Sequence, residues 1–463
     1  MGHSNPVRPL VRFGLPILIL LPCLMHDATA ADWMRFRGPN GSGIAPDDKP
    51  VPIEWSEDKD LLWKTPLPGA GYSSPITAGE RVFVTCWSGS ADGAREDGAL
   101  RRHLLCLDRV TGQVLWEKTV PAKLPEDRSQ HGYATHTPVT DGKNVYVFFG
   151  KSGVFAFDLE GKQLWQADVG SDLDRRGWGS ASSPILQGKL LIVTASVESR
   201  AMYAFDTATG MQVWKAAADG FESTWGTPII SAAGGRADVV VSVPGELWAF
   251  NPESGKLRWY SEGLRSESAC NSVIEEGGTI YALGDRGGGS LAVRAGGRED
   301  VSKSHIAWTG PNGPRIPTPI LWQGRLYWVS GSLANCRDAA TGKDIYEERI
   351  PEVAAGRGAP ATGGADPGPG QRGGGGERER GGFGGRGGRG GNDYASPVAA
   401  QGHLFQVTGR GETLVIRLGS TFELVARNRF ASDTSSFCAT PAISDGQIFI
   451  RSNEFLYCVG KKD

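Results

Sequence analysis

The chain has 463 residues, and its 49 lysines and arginines nearly balance 51 aspartates and glutamates, giving a formal net charge of −2. This balance excludes a globally basic nucleic-acid binder and a strongly acidic disordered chain. The 66 glycines are about twice the average usage, and 14 tryptophans accompany them. Because glycine disfavours helix interiors, the composition predicts a β protein with many turns.

Residues 1–30 have the pattern of a secretory signal peptide. Arg8 and Arg12 precede an apolar run, and the small-x-small sequence Ala28-Thr29-Ala30 ends at the expected cleavage site. The apolar run is shorter than the roughly 20 residues that a membrane span needs. We therefore expect cleavage after Ala30 and export to the periplasm or the extracellular space. Lipid attachment through Cys23 is the alternative, which the preceding proline disfavours.

A unit of about 45 residues recurs through the rest of the chain. Its first half is a small hydroxyl residue and a proline, followed by an alternating apolar strand; one copy has valine in place of the proline. The copies begin at Ser74-Pro75, Thr137-Pro138, Ser183-Pro184, Thr227-Pro228, Ser272-Val273, Thr318-Pro319, Ser396-Pro397 and Thr440-Pro441. The second half is an apolar strand, an Asp-to-Gly turn and a strand with an aromatic residue, as in Tyr203–Trp214.

Each unit predicts four short antiparallel strands, a blade whose two faces neighbouring blades must cover. The eighth unit runs out of chain before its fourth strand, whereas residues 60–64 form a spare strand that carries Trp63. We expect the spare strand to complete the last blade and remove both open edges. The prediction is one all-β, eight-bladed β-propeller over residues 60–463.

Two segments lie outside the repeat. Residues 31–59 lack periodicity, and we expect an extended N-terminal arm that packs on the outside of the ring through Trp33, Phe36 and Trp55. Residues 355–392 are dominated by glycine and arginine and cannot bury enough apolar surface to order. We interpret this insert as a disordered, solvated loop between blades six and seven rather than as an RNA-binding segment.

The repeat ending AxDxxTGxxxW resembles the pyrroloquinoline-quinone (PQQ) repeat, most closely at Tyr203–Trp214 and then at Leu105–Trp116. With the leader FRGPNG and the blade starts YATHTP and WGTP, the chain is similar to exported PQQ-like propellers of planctomycete bacteria. The resemblance implies the propeller fold. It also connects the chain to two kinds of protein: quinoprotein dehydrogenases, which hold PQQ over a calcium ion, and BamB-type scaffolds of envelope biogenesis.

No pair of adjacent cysteines and no convergent calcium set can be assigned from this sequence, so we expect no cofactor and no catalytic residue. We interpret the repeat aspartates as turn acceptors; they are Asp108, Asp158, Asp206 and Asp338. The predicted function is a monomeric, non-enzymatic scaffold that binds a protein or peptide partner in the cell envelope and binds no nucleic acid. The alternatives are a degenerate PQQ-dependent oxidoreductase with calcium and a glycan-binding propeller.

Residues at the starts of the inner strands are the candidates for contacting a partner, because they ring one mouth of the channel. They are Tyr72, His131, His136, Trp178, Trp225 and Tyr394. His131 and His136 point to opposite faces of an extended segment, so we predict no metal site. Export permits disulfides, and Cys86 and Cys106 on neighbouring strands are the predicted pair, with free buried thiols as the alternative.

Overall fold

The computed structural model describes residues 1–2, 32–46, 49–89, 99–123, 125–127, 132–284, 287–352 and 394–462. Residues 3–31, which hold most of the predicted signal peptide and its predicted cleavage site, and the insert 355–392 lie outside the described residues. Strand β1 (Leu61–Pro66) comes first in the chain, and the four-stranded blades follow. No helix of the described part is long and apolar enough to cross a membrane.

The first four blades follow the repeat. Blade 1 is β2 (Ile76–Ala78), β3 (Arg81–Ser88), β4 (Arg101–Asp108) and β5 (Val114–Pro121). Blade 2 is β6 (Val139–Thr140), β7 (Asn144–Phe148), β8 (Val154–Asp158) and β9 (Gln163–Ala167). Blade 3 is β10 (Ile185–Gln187), β11 (Leu190–Ala195), β12 (Ala201–Asp206) and β13 (Gln212–Ala217), with a short helix α1 (Ser196–Ser199) between β11 and β12. Blade 4 is β14 (Ile229–Ser231), β15 (Asp238–Val243), β16 (Glu246–Phe250) and β17 (Leu257–Glu262).

The remaining blades complete the ring. Blade 5 is β18 (Ile274–Glu276), β19 (Thr279–Leu283), β20 (Ser290–Arg294) and β22 (Ile306–Gly310), and the intervening β21 (Glu299–Asp300) pairs in parallel with β17 of blade 4. Blade 6 is β23 (Ile320–Trp322), β24 (Arg325–Ser330), β25 (Leu333–Asp338) and β26 (Asp344–Arg349). Blade 7 is β27 (Val398–Ala400), β28 (His403–Val407), β29 (Glu412–Arg417) and β30 (Leu424–Arg429). Blade 8 is β31 (Ala442–Ser444), β32 (Gln447–Arg451) and β33 (Phe455–Val459), completed by β1. Short 3-10 helices lie at Pro39–Gly41, Gly150–Ser152, Asp219–Phe221 and Ala233–Gly235.

The predicted eight-bladed ring and its closure are confirmed. Strand β1 pairs antiparallel with β33, and Trp63 lies opposite Cys458. Because β1 covers the outer edge of β33, the N-terminal segment of the propeller holds the C-terminal strands in the ring.

The repeated Gly and Trp join consecutive blades. The Trp165 ring of blade 2 lies against Gly210 in the turn of blade 3, where a Cβ atom would come within 2.6 Å of the ring. Its Nε1 donates a hydrogen bond of 2.9 Å to the Thr207 carbonyl in the same turn. Four more tryptophans make this bond to the next blade; they are Trp63, Trp116, Trp214 and Trp308. Glycine is required at these turns because its φ is positive (+71° at Gly210) and because the indole occupies the space of a side chain.

The interpretation of the repeat aspartates as turn acceptors is confirmed. In blade 3 the Asp206 carboxylate accepts bonds from the Thr209 amide at 2.9 Å and from the Thr209 hydroxyl at 2.8 Å. The hydroxyl bond is the largest influence that lowers the pKa of Asp206. Asp108, Asp158 and Asp338 accept equivalent backbone bonds. The carboxylates of the repeat aspartates therefore stabilise the turns of the blades.

Over residues 32–46 the path of the N-terminal arm differs from the prediction, whereas the backbone N–H of Trp55 donates to Asn428 in the outer strand of blade 7 at 2.9 Å. Instead of packing on the outside of the ring, residues 32–46 cross one end of it and bond to inner strands on several sides. The backbone of Trp33 bonds with Thr77 of blade 1, and Asn40 bonds with the backbone of Ile230 of blade 4. The backbone of residues 43–45 bonds with Ala399 of blade 7. The arm therefore covers the end of the ring that carries the hairpin turns of the inner strands, which we call the turn face.

A buried arginine holds the arm in place. Arg37 is fully buried, and its guanidinium donates to the carbonyls of Thr318 at 2.9 Å, Pro319 at 2.6 Å and Pro397 at 2.9 Å. These carbonyls belong to blades 6 and 7, and two further bonds go to carbonyls of the arm itself. The arginine side chain therefore satisfies five backbone acceptors and connects the arm to the inner strands.

Candidate binding face

The opposite end of the ring is the one where loops lead into the inner strands, and we call it the loop face. All inner strands run in the same direction, so the loops that precede them lie together. The described parts of these loops are residues 67–75, 122–123, 125–127, 132–138, 168–184, 218–228, 263–273, 311–319, 350–352, 394–397 and 430–441. The described turns between the second and third strands of the blades lie beside them. Because the arm covers the turn face, the loop face is the end of the ring without such a cover among the described residues.

A chain of hydroxyl groups fixes the loop face. In seven of the eight units the backbone N–H of the small hydroxyl residue donates to the hydroxyl of the equivalent residue in the next blade. Thr137 donates to Ser183 at 2.9 Å, and Ser183 donates to Thr227 at 3.0 Å. The described residues show seven such bonds, from Ser74 through Ser396 to Thr440. The small hydroxyl residue of the repeated motif is thus explained by a chain of hydrogen bonds that runs around the axis from blade 1 to blade 8.

The structure brings Trp178 and Trp225 together on this face. Their ring centroids are 5.0 Å apart, and the Arg176 guanidinium lies 5.5 Å from the Trp178 ring. Trp225 is buried and donates from Nε1 to the Gly179 carbonyl at 2.6 Å, whereas Trp178 is 36% exposed. The buried Trp225 therefore holds the Trp178 ring in place. Trp178 and Arg176 are the side chains of this group that a partner can contact.

Tyr72 and Tyr394 are both half-buried and lie close enough to interact electrostatically. Burial raises the pKa of Tyr72 to about 12, and the backbone N–H of Tyr72 donates to the Ala134 carbonyl at 2.9 Å. His131 lies outside the described residues. Among the predicted mouth residues, the structure therefore brings together Trp178 with Trp225 and Tyr72 with Tyr394.

His136 occupies a different place from the one predicted. Only 2% of its surface is exposed, its ring packs 4.4 Å from that of Phe148, and its Nε2 lies 3.0 Å from the Ser180 hydroxyl. Burial lowers the pKa of His136 from 6.5 to about 3, helped by the charge of Arg102. The imidazole is therefore neutral and internal, and it is unable to reach a partner on the surface.

His136 belongs to a buried polar cluster that the sequence did not indicate. The cluster lies beneath the loop face between blades 1, 2 and 3, and its members are less than a tenth exposed. They are Arg102, Glu126, Asp127, His136, Lys151, Ser180 and Glu198. All of them except His136 line a cavity of about 10 Å³, which is too small for an organic ligand. The cluster therefore acts within the protein rather than as a substrate site.

Two ion pairs neutralise most of this cluster. Arg102 pairs with Glu126, and Lys151 lies 2.9 Å from Asp127 and 3.8 Å from Glu126. The carboxyl group of Glu198 accepts a bond from the Ser180 hydroxyl, and its Oε2 has no hydrogen-bond partner among the described residues. Burial raises the pKa of Glu198 from 4.5 to about 7, against the effect of the Ser180 bond. Glu198 is thus a buried acid that changes charge near neutral pH.

The predicted Cys86–Cys106 disulfide is wrong. Both cysteines are free thiols, like the other four cysteines of the described chain. They lie on adjacent strands, but Cys86 is opposite His103, whereas Cys106 is opposite Phe83. The three-residue offset places the two side chains on opposite faces of blade 1, where each packs in a different core cluster. Burial raises the pKa of both thiols.

The loop face has an open cleft of about 820 Å³ between blades 4 and 5. Glu246, Glu262, Arg265 and Asn312 line it together with several glycines. In the described part of the chain no group of three His, Cys, Asp or Glu side chains is arranged to hold a metal ion.

The fold and the open loop face define a PQQ-like β-propeller. The family model described as "Outer membrane protein assembly factor BamB" matches residues 41–175, 94–198 and 161–363, well over half of the chain. The chain therefore belongs to this family, and the resemblance predicted from the repeat is confirmed.

Individual proteins agree with this assignment. The outer membrane protein assembly factor BamB of Burkholderia pseudomallei is 27% identical over 319 residues, which cover 65% of this chain and 73% of that protein. The tetrathionate hydrolase of Acidithiobacillus ferrooxidans is 20% identical over 332 residues, covering 63% of this chain and 61% of that protein. The solved quinohemoprotein alcohol dehydrogenase of Comamonas testosteroni superposes with a TM-score of 0.62 at 12% identity, over 94% of this chain and 81% of that one. At that identity the structural match concerns the fold alone.

Proposed function

We propose that this protein is an exported binding scaffold that presents its loop face to a protein or peptide partner in the cell envelope. Membership of the BamB family supports the envelope setting, because the relative from Burkholderia pseudomallei is named as an outer membrane protein assembly factor. Export rests on the pattern of residues 1–30, with cleavage after Ala30. The partner class follows from the chemistry of the loop face.

The observation that carries the proposal is the pair formed by Trp178 and Trp225 with Arg176 beside it. Aromatic and arginine side chains held rigidly at the surface are the residues on which binding energy most often concentrates. Trp178 is already fixed by Trp225, so it loses little side-chain freedom on binding. Arg176 donates to the Glu267 carbonyl at 3.2 Å and to the Ser223 hydroxyl at 3.1 Å, so it is also held in place.

The test is affinity capture from the native envelope with the mature chain as bait. Trp178→Ala should reduce recovery of the main partner at least tenfold, since a buried aromatic anchor contributes about 2 kcal/mol or more. The matched control is Met211→Ala, because Met211 is 70% exposed but lies in an outer turn at the turn face. Equal recovery by both variants, with unchanged thermal stability, would contradict the proposal.

The oxidoreductase alternative is tested with the same protein. We expect no cofactor, so PQQ and calcium together should leave the unfolding temperature unchanged. A ligand present at 100 times its Kd stabilises a protein by about 2.7 kcal/mol, which a thermal shift detects readily. Reduction of a dye with alcohols or sugars after PQQ addition would favour the enzyme. Binding on a glycan array would favour the glycan-binding alternative. Size-exclusion chromatography should show a monomer.

A further inference from the structure

Three strands of blade 1 place a serine, a histidine and a glutamate in line. His103 of β4 lies opposite Cys86 of β3 and opposite Thr119 of β5. Ser88 is two residues beyond Cys86, and Glu117 is two residues before Thr119. Because side chains two residues apart share a face of a sheet, Ser88, His103 and Glu117 all project from one face.

The hydrogen bonds between these side chains are short and directional. The Ser88 Oγ atom lies 2.7 Å from His103 Nε2, and His103 Nδ1 lies 2.6 Å from Glu117 Oε1. In the neutral tautomer with its proton on Nδ1, the imidazole donates to Glu117 and Nε2 is a lone-pair acceptor for the Ser88 hydroxyl. This is the order in which a nucleophile, a general base and an orienting carboxylate are arranged in acyl-transfer enzymes.

The burial of the three groups suits this arrangement. His103 is 6% exposed and is held by partners on both nitrogens, so its ring has one orientation. Ser88 is half-buried and is followed by the exposed Gly89. The Glu117 side chain is 37% exposed. A partly exposed serine thus lies next to a histidine that is shielded from water.

We propose that Ser88 is an activated nucleophile that accepts an acyl group from small carboxylic esters. The Ser88 Oγ–carbon bond forms while the hydroxyl proton passes to His103 Nε2. The ester C–O bond then breaks, and the leaving alkoxide takes that proton and departs as the alcohol. Water next attacks the acyl-serine, gives a proton to Nε2 and releases the carboxylic acid as Ser88 regains its proton. Ser88 and His103 are the catalytic residues, and Glu117 is a positioning residue.

The first test is labelling of the full mature chain with a fluorophosphonate probe, followed by peptide mapping. The serine oxygen displaces fluoride from phosphorus, so labelling requires no knowledge of the natural ester. Labelling should map to Ser88 and fall at least about 100-fold in His103→Gln, the scale of general-base catalysis. Ser302→Ala is the matched control, because Ser302 is also half-buried and bonds to Asp300 but has no imidazole partner. It should label like the wild type.

The second test separates a positioning role for Glu117 from a structural one. Hydrolysis of p-nitrophenyl acetate should be lost in Ser88→Ala, and Glu117→Gln should lower the rate and change its pH profile. Glu117→Asp should restore the wild-type profile in part. Thermal unfolding of each variant checks folding. Failure of the probe to label Ser88 in the folded wild-type chain would overturn the proposal. That outcome would leave the scaffold function untouched, since Trp178 and Ser88 are assayed independently.

Discussion

Replacing Glu198 with glutamine should remove a pH-dependent loss of stability. Glu198 lies on the short helix of blade 3, is 2% exposed and has an unpartnered Oε2 among the described residues. Arg102, Lys151, Asp127 and His136 belong to the same buried cluster. Burial raises the pKa of Glu198 from 4.5 to about 7. Glutamine has nearly the same shape, keeps an oxygen for the Ser180 hydroxyl and carries no charge at any pH.

The magnitude follows from the two pKa values. Below pH 4.5 the folded and unfolded chains both hold the Glu198 proton. Between pH 4.5 and about 7 the unfolded chain releases the proton while the folded chain retains it, so the free energy of unfolding falls as pH rises. Above pH 7 the loss is complete at about 3 kcal/mol, since a tenfold change in a protonation equilibrium is worth about 1.4 kcal/mol. Glu198→Gln should lack this loss.

His136 opposes Glu198 over part of the same range. Burial lowers its pKa from 6.5 to about 3, so the unfolded chain takes up a proton below pH 6.5 while the folded chain remains neutral. The stability associated with His136 is present above pH 6.5 and is lost as the pH falls toward 3, by about 5 kcal/mol in full. In the wild type the two effects nearly cancel between pH 4.5 and 6.5. In Glu198→Gln the His136 effect stands alone.

The assay is equilibrium urea unfolding of both proteins from pH 4 to pH 8. The difference between the two unfolding free energies should move by about 3 kcal/mol in favour of glutamine across this range. Other titrating groups are common to both proteins and drop out of the difference. Parallel curves would refute the reasoning, because they would mean that Glu198 titrates alike in the folded and unfolded chains.

Three further changes test the parts that hold the ring together. Arg37→Ala should lower the free energy of unfolding by about 3 kcal/mol or more in urea titrations, because it leaves buried carbonyls of blades 6 and 7 unpaired. The control is Arg298→Ala, which removes an exposed arginine and should leave the free energy of unfolding unchanged. Ser183→Ala should lower the free energy of unfolding by about 1–2 kcal/mol, because the Thr137 amide loses its acceptor. Ser74→Ala should lower it less, because the Ser74 hydroxyl has no partner among the described residues. Equal losses of stability would contradict a stabilising role for the chain of hydroxyl groups. In calorimetry, Gly210→Ala should lower the unfolding temperature far more than Gly188→Ala. Both glycines have a positive φ, but only Gly210 packs against an indole, that of Trp165. Similar shifts for both variants would mean that the contact with Trp165 does not require glycine.

The fold was predictable because each blade repeats the same local rules. Alternating strands, Asp-to-Gly turns and a tryptophan in the outer strand of most units predict the blades without any knowledge of distant contacts. The spare strand that carries Trp63 supplies the fourth strand of blade 8. Its pairing with β33 is predictable because it removes the open edges of the ring.

The arm escaped prediction because its partners are distant in sequence. Arg37 bonds to carbonyls 281 and 360 residues away, and a backbone carbonyl has no sequence signature. The disulfide prediction failed for a related reason, since pairing needs the strand register and not only neighbouring strands. Cys86 and Cys106 are on adjacent strands but on opposite faces.

The candidate site was predicted only in outline. Starts of inner strands do meet on one face, so Trp178 and Trp225 were correctly grouped by position. Whether each side chain points outward depends on the loop conformation, which is why His136 was expected at the surface and is internal. Two groups of side chains had no signal in the sequence: the buried polar cluster, and the hydrogen-bonded side chains of Ser88, His103 and Glu117. Both are brought together from separate strands and loops, so no sequence spacing marks them.

We propose that the loop face, and not the turn face, contacts a partner. The measurement is photo-crosslinking in the native envelope, with a photo-reactive amino acid placed at position 178 or at position 211 of the full chain. Crosslinks to a discrete partner from position 178 and none from position 211 are expected. Crosslinks from position 211 alone, or equal crosslinks from both positions, would contradict the assignment of the loop face as the binding surface.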